Sequence, residues 1–304
     1  MEDYNKPDKS TINQLNNRSN LTSIQWYPGH MVKAKKQIKE KFSLVDVTIE
    51  VVDARIPQSS RNPVLEPILR EKPRVIALNK RDLAHHEMTL KWIAYFKSQG
   101  LGAAAVDSSS KQGIKELINE VKGAAGPVMK ALEAKGRRRR AVRAMIVGIP
   151  NVGKSTLINA MVNRTVAKTG NKPGVTKGTQ WIRVVDDLEL LDTPGMLWPK
   201  FENQQTGFKL AATGAISDLV FSLEDVAKHL VLYLKENRPE VLEERYKIEL
   251  VSSDPWVIME EIGRKRGFLA SGGVVMMEQT AVMLLREFRS GKLGRFTLEK
   301  PGSV

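Results

Sequence analysis

The sequence predicts an α/β domain, built on a mostly parallel sheet with helices on both faces, followed by a smaller all-α domain. Three observations carry that expectation. Short, almost wholly apolar runs alternate with amphipathic helical patterns between Val45 and Leu191. Beyond Trp198 the apolar periodicity is helical only. A glycine-rich turn, Gly148 to Ser155, also separates an apolar run from a helical one. Strands covered on both sides read as continuous Val/Ile/Leu runs, and strand–helix alternation implies parallel pairing.

Taken in order, strands are predicted at residues 45–52, 74–78, 103–106, 144–147, 181–184 and 189–191. Helices are predicted at 31–42, 63–70, 87–99, 114–133 and 154–163. The second of these has Asn62 as a cap and Pro63 in its first turn, a favoured start. In the C-terminal part, Ser222 with Asp225 forms a capping box before Val226, Leu230, Tyr233 and Leu234. Asp254 and Pro255 open another helix, and Met277, Ala281, Leu284, Leu285 and Phe288 recur at helical spacing as core. The expected organisation is a disordered polar tail over 1–22, an α/β domain over 23–199 and a helical domain over 200–304.

Composition narrows the classes of function. No apolar run approaches the roughly 18 residues needed to cross a bilayer, and the polar opening with Glu2, Asp3 and Asp8 suits neither a secretory nor an organellar leader. With no cysteine, disulfides and thiolate metal sites are excluded, which suits a cytoplasmic protein. The net charge of +14 lies wholly before Lys200, because the 15 basic and 15 acidic residues after Pro199 cancel. It gathers at Lys33, Lys35, Lys36, Lys39 and Lys41, and again at Lys130, Lys135, Arg137 to Arg140 and Arg143. Two such clusters favour a polyanionic partner, nucleic acid ahead of a membrane surface.

The run Gly148-Ile149-Pro150-Asn151-Val152-Gly153-Lys154-Ser155 matches G-x-x-x-x-G-K-S in the strand–turn–helix context that motif needs. Its backbone N–H groups at Asn151, Val152 and Gly153 are expected to curl around phosphates at a helix N-terminus. Lys154 is expected to reach the β- and γ-phosphates and Ser155 to bind magnesium, with Thr156 joining the nucleotide set. Further on, Asp192-Thr193-Pro194-Gly195 ends an apolar strand. There Asp192 can hold magnesium through water, and Gly195 can offer its N–H to the γ-phosphate. Between them, the hydroxyl of Thr176 can complete the magnesium shell. Ordered in this way, the segments form a two-switch site that senses the γ-phosphate.

Base identity follows from Asn79-Lys80-Arg81-Asp82 at the end of another apolar strand. The Asp82 carboxylate can accept guanine N1–H and N2–H together, whereas adenine leaves it unpaired, a strong basis for rejection. Lys80 is expected to lay its stem along the purine, and Asn79 to brace the phosphate loop. In Asp107-Ser108-Ser109-Ser110, either Ser108 or Ser109 could present an N–H to the guanine oxygen. These base motifs precede the phosphate loop, the reverse of most small GTPases. The first domain is therefore expected to be a circularly permuted P-loop GTPase domain, its old termini joined near residues 135–140.

The permuted order, with Trp26 to Met31, Asp53-Ala54-Arg55-Ile56-Pro57, Ser60 to Pro63 and Ile149 to Val152, resembles the circularly permuted GTPases of the YlqF/YawG type, specifically its bacterial YlqF branch. The likeness covers roughly residues 24–296. It implies a role in late assembly of the large (50S) ribosomal subunit, with the helical domain helping to bind rRNA. It also nominates His30 to help hydrolysis, because Met196 stands where many GTPases have a water-orienting glutamine. The other reading of His30 is that it shapes its turn or touches RNA. Asn151 resembles the asparagine that binds K+ in related GTPases, alongside Mg2+. Ser108 to Ser110 fit the family pattern only loosely. Taken together, the expectation is a slow, monomeric, cytoplasmic GTPase stimulated by the subunit; the alternative is a GTPase acting on a protein or another RNA partner outside ribosome assembly.

Overall fold

A computed structural model of the 304-residue chain describes residues 39–162, 181–191 and 203–302. All six expected strands are present among these: β1 (Val47–Asp53), β2 (Arg74–Asn79), β3 (Gly102–Ala105), β4 (Val142–Val147), β5 (Trp181–Val185) and β6 (Leu188–Leu191). They form one sheet in the order β3-β2-β1-β4-β6-β5, parallel except for β5 against β6. Counting from β4 instead of β1 makes the phosphate-loop strand first and the base-motif strands β2 and β3 last. The sheet thus has the spatial order of an unpermuted nucleotide-binding domain, entered at a different point.

The helices are α1 (Glu66–Leu69), α2 (His86–Ser98), α3 (Ile114–Ala134), α4 (Lys154–Val162), α5 (Gln204–Ala212), α6 (Leu223–Asn237), α7 (Pro239–Tyr246), α8 (Pro255–Lys265) and α9 (Met277–Arg289). Of the helix expected over 31–42, only 39–42 lies within the described residues, and it is helical. The helix expected from Pro63 starts later, at Glu66. Asn62 is not its cap: the N-cap is Leu65, with no side-chain cap bond, and Asn62 Oδ1 instead accepts from Val64 N–H at 3.0 Å in the turn ahead of the helix. The first bonds, Leu65 to Asn62 and Glu66 to Pro63, are i to i−3, so a tight turn precedes the helix proper.

Alternation along the strands assigns each face. Val52, Ile76 and Leu78 pack with Trp92 and Phe96 of α2, and Met145, Val147 and Leu191 pack with Leu65, Ile68 and Leu69 around α1. The long α3 crosses the other face, in contact with β3, β2, β1 and β4. It carries the chain from the sheet edge to its centre, about 31 Å at 1.5 Å per residue. The basic run that follows it forms the join. Arg140 grips the buried Asp46 through two bonds, 2.7 and 2.9 Å, while Arg137, Arg138 and Arg139 stay exposed.

By internal contact the chain divides into two units. Among the described residues, one consists of 39–216 with 285–302 and the other of Ser217–Leu284. The compact helical part therefore begins at Ser217, and the chain rejoins the sheet-containing unit from Leu285 onward. In the helical unit α6 packs on α7 and α8 through Val226, Leu230 and Leu234, all buried. Its caps are those the sequence indicates: Ser222 accepts from Asp225 N–H at 3.1 Å, and Asp254 from Trp256 N–H at 2.8 Å. Gly263 is required for packing, since a Cβ there would lie 2.4 Å from Val275 and 2.6 Å from Thr280. No helix among the described residues is long and apolar enough to cross a membrane.

Candidate nucleotide site

The phosphate loop springs from the buried end of β4 and returns as the first turn of α4. Ile149 and Val152 point into the core and are fully buried, which pins the loop at both shoulders. Gly148 passes so close to β1 that a Cβ would sit 2.6 Å from the Val51 carbonyl oxygen. Gly153 has φ +94 and would place a Cβ 2.3 Å from Asn79 Nδ2. Only glycine fits both places. Lys154 is buried at the head of α4, and its Nζ donates to the Ile149 carbonyl at 2.8 Å across the loop. Ser155 and Thr156 follow in the same turn, half-buried.

The base motif reaches this loop from the other half of the domain. Asn79 ends β2, is buried, and donates from Nδ2 to the Val152 carbonyl at 2.8 Å. Its Oδ1 accepts from Ser108 N–H at 3.2 Å and from Ser108 Oγ at 2.7 Å. One amide therefore ties together the phosphate loop, the base motif and the loop after β3. Among the residues expected at the site, Asn79, Ser108, Val152, Gly153 and Lys154 are brought together. His30, Thr176, Asp192, Gly195 and Met196 lie outside the described residues.

Asp82 stands at the exposed rim of this assembly. Partial withdrawal from water, and then the nearby Asp107 carboxylate, raise its pKa from the ordinary aspartate value. A ligand offering two N–H groups to this carboxylate would favour its ionised form against both effects. Burial alone would raise Asp107 too. The Ser110 hydroxyl and the Ser109 and Ser110 amides outweigh it and lower that group instead. Ser109 N–H donates to Asp107 Oδ1 at 2.8 Å, so the amides of both Ser108 and Ser109 already have partners inside the protein.

Lys80, in the left-handed region at φ 60, turns its ammonium inward to Asp53 at 3.0 Å. Burial lowers its pKa, and the Asp53 carboxylate works against that shift. Asp53 itself stays ionised. Its complete burial would raise its pKa, but Arg55 and Lys80 hold it well below the usual carboxylate range. Asn151, at φ 59, donates from Nδ2 to the Gly214 carbonyl at 3.2 Å.

Residues near the C-terminus complete the base side, although nothing in their local pattern signals it. Phe296 N–H bonds to the Leu83 carbonyl at 3.0 Å, and Leu298 N–H to the Arg55 carbonyl at 2.8 Å. Glu299 accepts from Gln58 N–H at 2.7 Å, from Lys209 Nζ at 3.2 Å and from the Ser59 hydroxyl. This stretch thus staples the loops after β1 and β2 to α5. Among the described residues no cluster of His, Cys, Asp and Glu could hold a metal unaided.

A mostly parallel sheet entered at its fourth strand, with base and phosphate loops joined by Asn79, defines a circularly permuted P-loop GTPase. Comparison with known proteins agrees. The family model described as 50S ribosome-binding GTPase matches residues 143–258. Ribosome biogenesis GTPase A of Bacillus cereus is 49% identical over 278 residues, covering 91% of this chain and 94% of that protein. The Thermotoga maritima protein of the same name is 34% identical over 281 residues, covering 92% and 96%. The crystal structure of GNP-bound YlqF from T. maritima superposes with a TM-score of 0.61 at 29% identity, covering 90% of this chain and all of that one. The chain belongs to the ribosome biogenesis GTPase A family, and it is a GTP-hydrolysing enzyme.

Proposed function

We propose that this GTPase acts in late maturation of the large ribosomal subunit in the cytoplasm, engaging pre-ribosomal RNA with GTP bound and leaving after hydrolysis. The nucleotide half of the reading is carried by the 2.8 Å bond between Asn79 and Val152, which makes one pocket from both halves of the domain. The ribosomal half is supported by family membership and by the exposed run Arg137 to Arg139, suited to a phosphate backbone.

In this reading Asp82 accepts the guanine N1–H and N2–H, and Lys80 lines the purine while Asp53 anchors its ammonium. Lys154, held at the mouth of the loop, neutralises the β- and γ-phosphates, and the first-turn amides of α4 add their dipole. The donor set suits Mg2+: Ser155 sits half-buried beside Lys154 at the head of α4, and hydroxyl and carboxylate oxygens are the ligands that ion prefers. Ser155, Thr176 and Asp192 would hold it, and when bound it spreads the charge developing on the phosphate oxygens. At Asn151, Nδ2 is given to Gly214, so the side-chain oxygen is the atom that would meet K+. The N–H of Gly195 senses the γ-phosphate, and the segment after it leads to α5. Met196 cannot orient water, so hydrolysis is slow until contact with the subunit, with His30 in the helping role, supplies the missing interactions. Such contacts are worth about 10³–10⁵ in rate.

The test is GTP hydrolysis by the purified full chain with and without large subunits, across a salt series. Stimulation by large but not small subunits, fading as salt rises, is expected. Equal rates with either subunit, or with none, would remove the ribosomal reading.

A further inference from the structure

The base loop rests on a buried charge cluster beside Asn79, whose strand partner is Asp53, and it takes in the ammonium of Lys80. At its centre is the Asp53 carboxylate, which receives Arg55 Nε at 2.9 Å, Arg55 Nη2 at 2.7 Å, Arg55 N–H at 3.0 Å and Lys80 Nζ at 3.0 Å. Arg55 is almost fully buried. Its Nη2 also donates to the Thr213 carbonyl at 2.9 Å, just past the end of α5. The next carbonyl, Gly214, takes Asn151 of the phosphate loop at 3.2 Å. The two before Thr213, Ala212 and Ala211, take Arg289 at 3.2 and 2.8 Å.

The last carbonyls of a helix lack partners within it, and that end attracts cations. Here they are shared among the loop after β1, the phosphate loop and the last residue of α9. Arg55 is the member that also reaches the base motif. Its planar fork matches a carboxylate and a carbonyl at once, a geometry that lysine cannot reproduce. Charge alone gives no reason to bury such a pair, because apolar residues often serve stability as well. What the pair does supply is a fixed location for the Lys80 ammonium.

We infer that Arg55 is a positioning residue for guanine recognition, fixing Lys80 and the base loop through Asp53 and tying that loop to the end of α5. The inference rests on the assignment of Asp82 and Lys80 to the base. Inosine diphosphate lacks the guanine N2 amine and so forfeits one of the two bonds to Asp82. The ratio of GDP to inosine diphosphate affinity therefore reads the placement of the base loop, independently of how much protein is folded.

Calorimetric titration of the full chain with both nucleotides tests this in the wild type, Arg55→Lys, Asp53→Asn and Asp82→Asn. Arg55→Lys is expected to shrink the preference for GDP by about tenfold, the scale of one charge-assisted hydrogen bond. Asp53→Asn, nearly the same shape, gives the same readout if Arg55→Lys does not fold. An unchanged ratio in whichever of these variants folds, with Asp82→Asn losing the preference, would overturn the role of Arg55 and leave the base assignment standing. A ratio unchanged in Asp82→Asn would overturn the base assignment itself, and this inference with it.

Discussion

Replacing Asn79 by alanine removes the side chain that holds the two halves of the pocket together. The amide makes three hydrogen bonds, to the Val152 carbonyl at 2.8 Å and from Ser108 N–H and Oγ at 3.2 and 2.7 Å. Asn79 is only 2% exposed, so water has little access to the groups it leaves behind. A stranded buried polar group costs roughly 1–3 kcal/mol. With the Val152 carbonyl and the Ser108 N–H both stranded, rigid loops would lose about 2–6 kcal/mol. Loops can move apart instead, and then the cost appears as a badly shaped pocket. A loss of GDP affinity of about ten- to a hundredfold, roughly 1.4–2.8 kcal/mol, is expected, together with a lower melting temperature. Calorimetry with GDP and a thermal melt of the ligand-free chain separate the two. A folded Asn79→Ala protein with wild-type GDP affinity would refute the reasoning, whatever its melting temperature.

Three further outcomes follow from the same geometry. Only ionised Asp82 can accept two N–H bonds, and its pKa in the free protein is raised by burial and by Asp107; GDP affinity is full above that pKa and falls as pH drops through it, starting at a higher pH than for an ordinary aspartate. Affinity measured against pH checks this, and a decline confined to the ordinary aspartate range would contradict it. Glu66 is held down to about 2 from 4.5, first by its hydrogen bond from Arg74. A depressed carboxylate adds stability that is fully present above its unfolded pKa and is lost as pH falls through the folded one. The urea midpoint should therefore decline between pH 4.5 and about 2. Arg140→Ala breaks the two-bond grip on Asp46, whose side chain is 6% exposed while that of the arginine is 35% exposed; after discounting for that exposure the cost is about 1–2 kcal/mol in urea unfolding. No change would mean that the join carries no load.

Much of this fold was legible because its strands are short, apolar and β-branched. Residues such as Val75, Ile76, Ala77 and Leu78 have no other stable place than a sheet covered on both faces. The phosphate loop and the base motif were legible for a different reason, since fixed backbone demands restrict what Gly148, Gly153 and Asn79 can be. The start of α1 was less so, because Asn62 and Pro63 favour a tight turn and a helix equally. Asp53, Arg55 and Glu299 gave only weak signals. Asp53 and Arg55 could be picked out as part of a family-like segment, but not as a support for Lys80. Glu299 meets Gln58 and Ser59 across some 240 positions of sequence, and no local pattern encodes such a meeting. The chain after Leu285 likewise has too little periodicity to show that it rejoins the first unit.

The most direct measurement is calorimetric titration of Asp82→Asn with GDP and with xanthosine diphosphate. Exchanging a carboxylate for an amide swaps an acceptor for a donor at the base edge, so preference should pass from the guanosine to the xanthosine nucleotide while phosphate contacts at Lys154 persist. A variant that kept its choice of GDP would show that the purine lies elsewhere, and the pocket assembled across the permuted halves would not be the site.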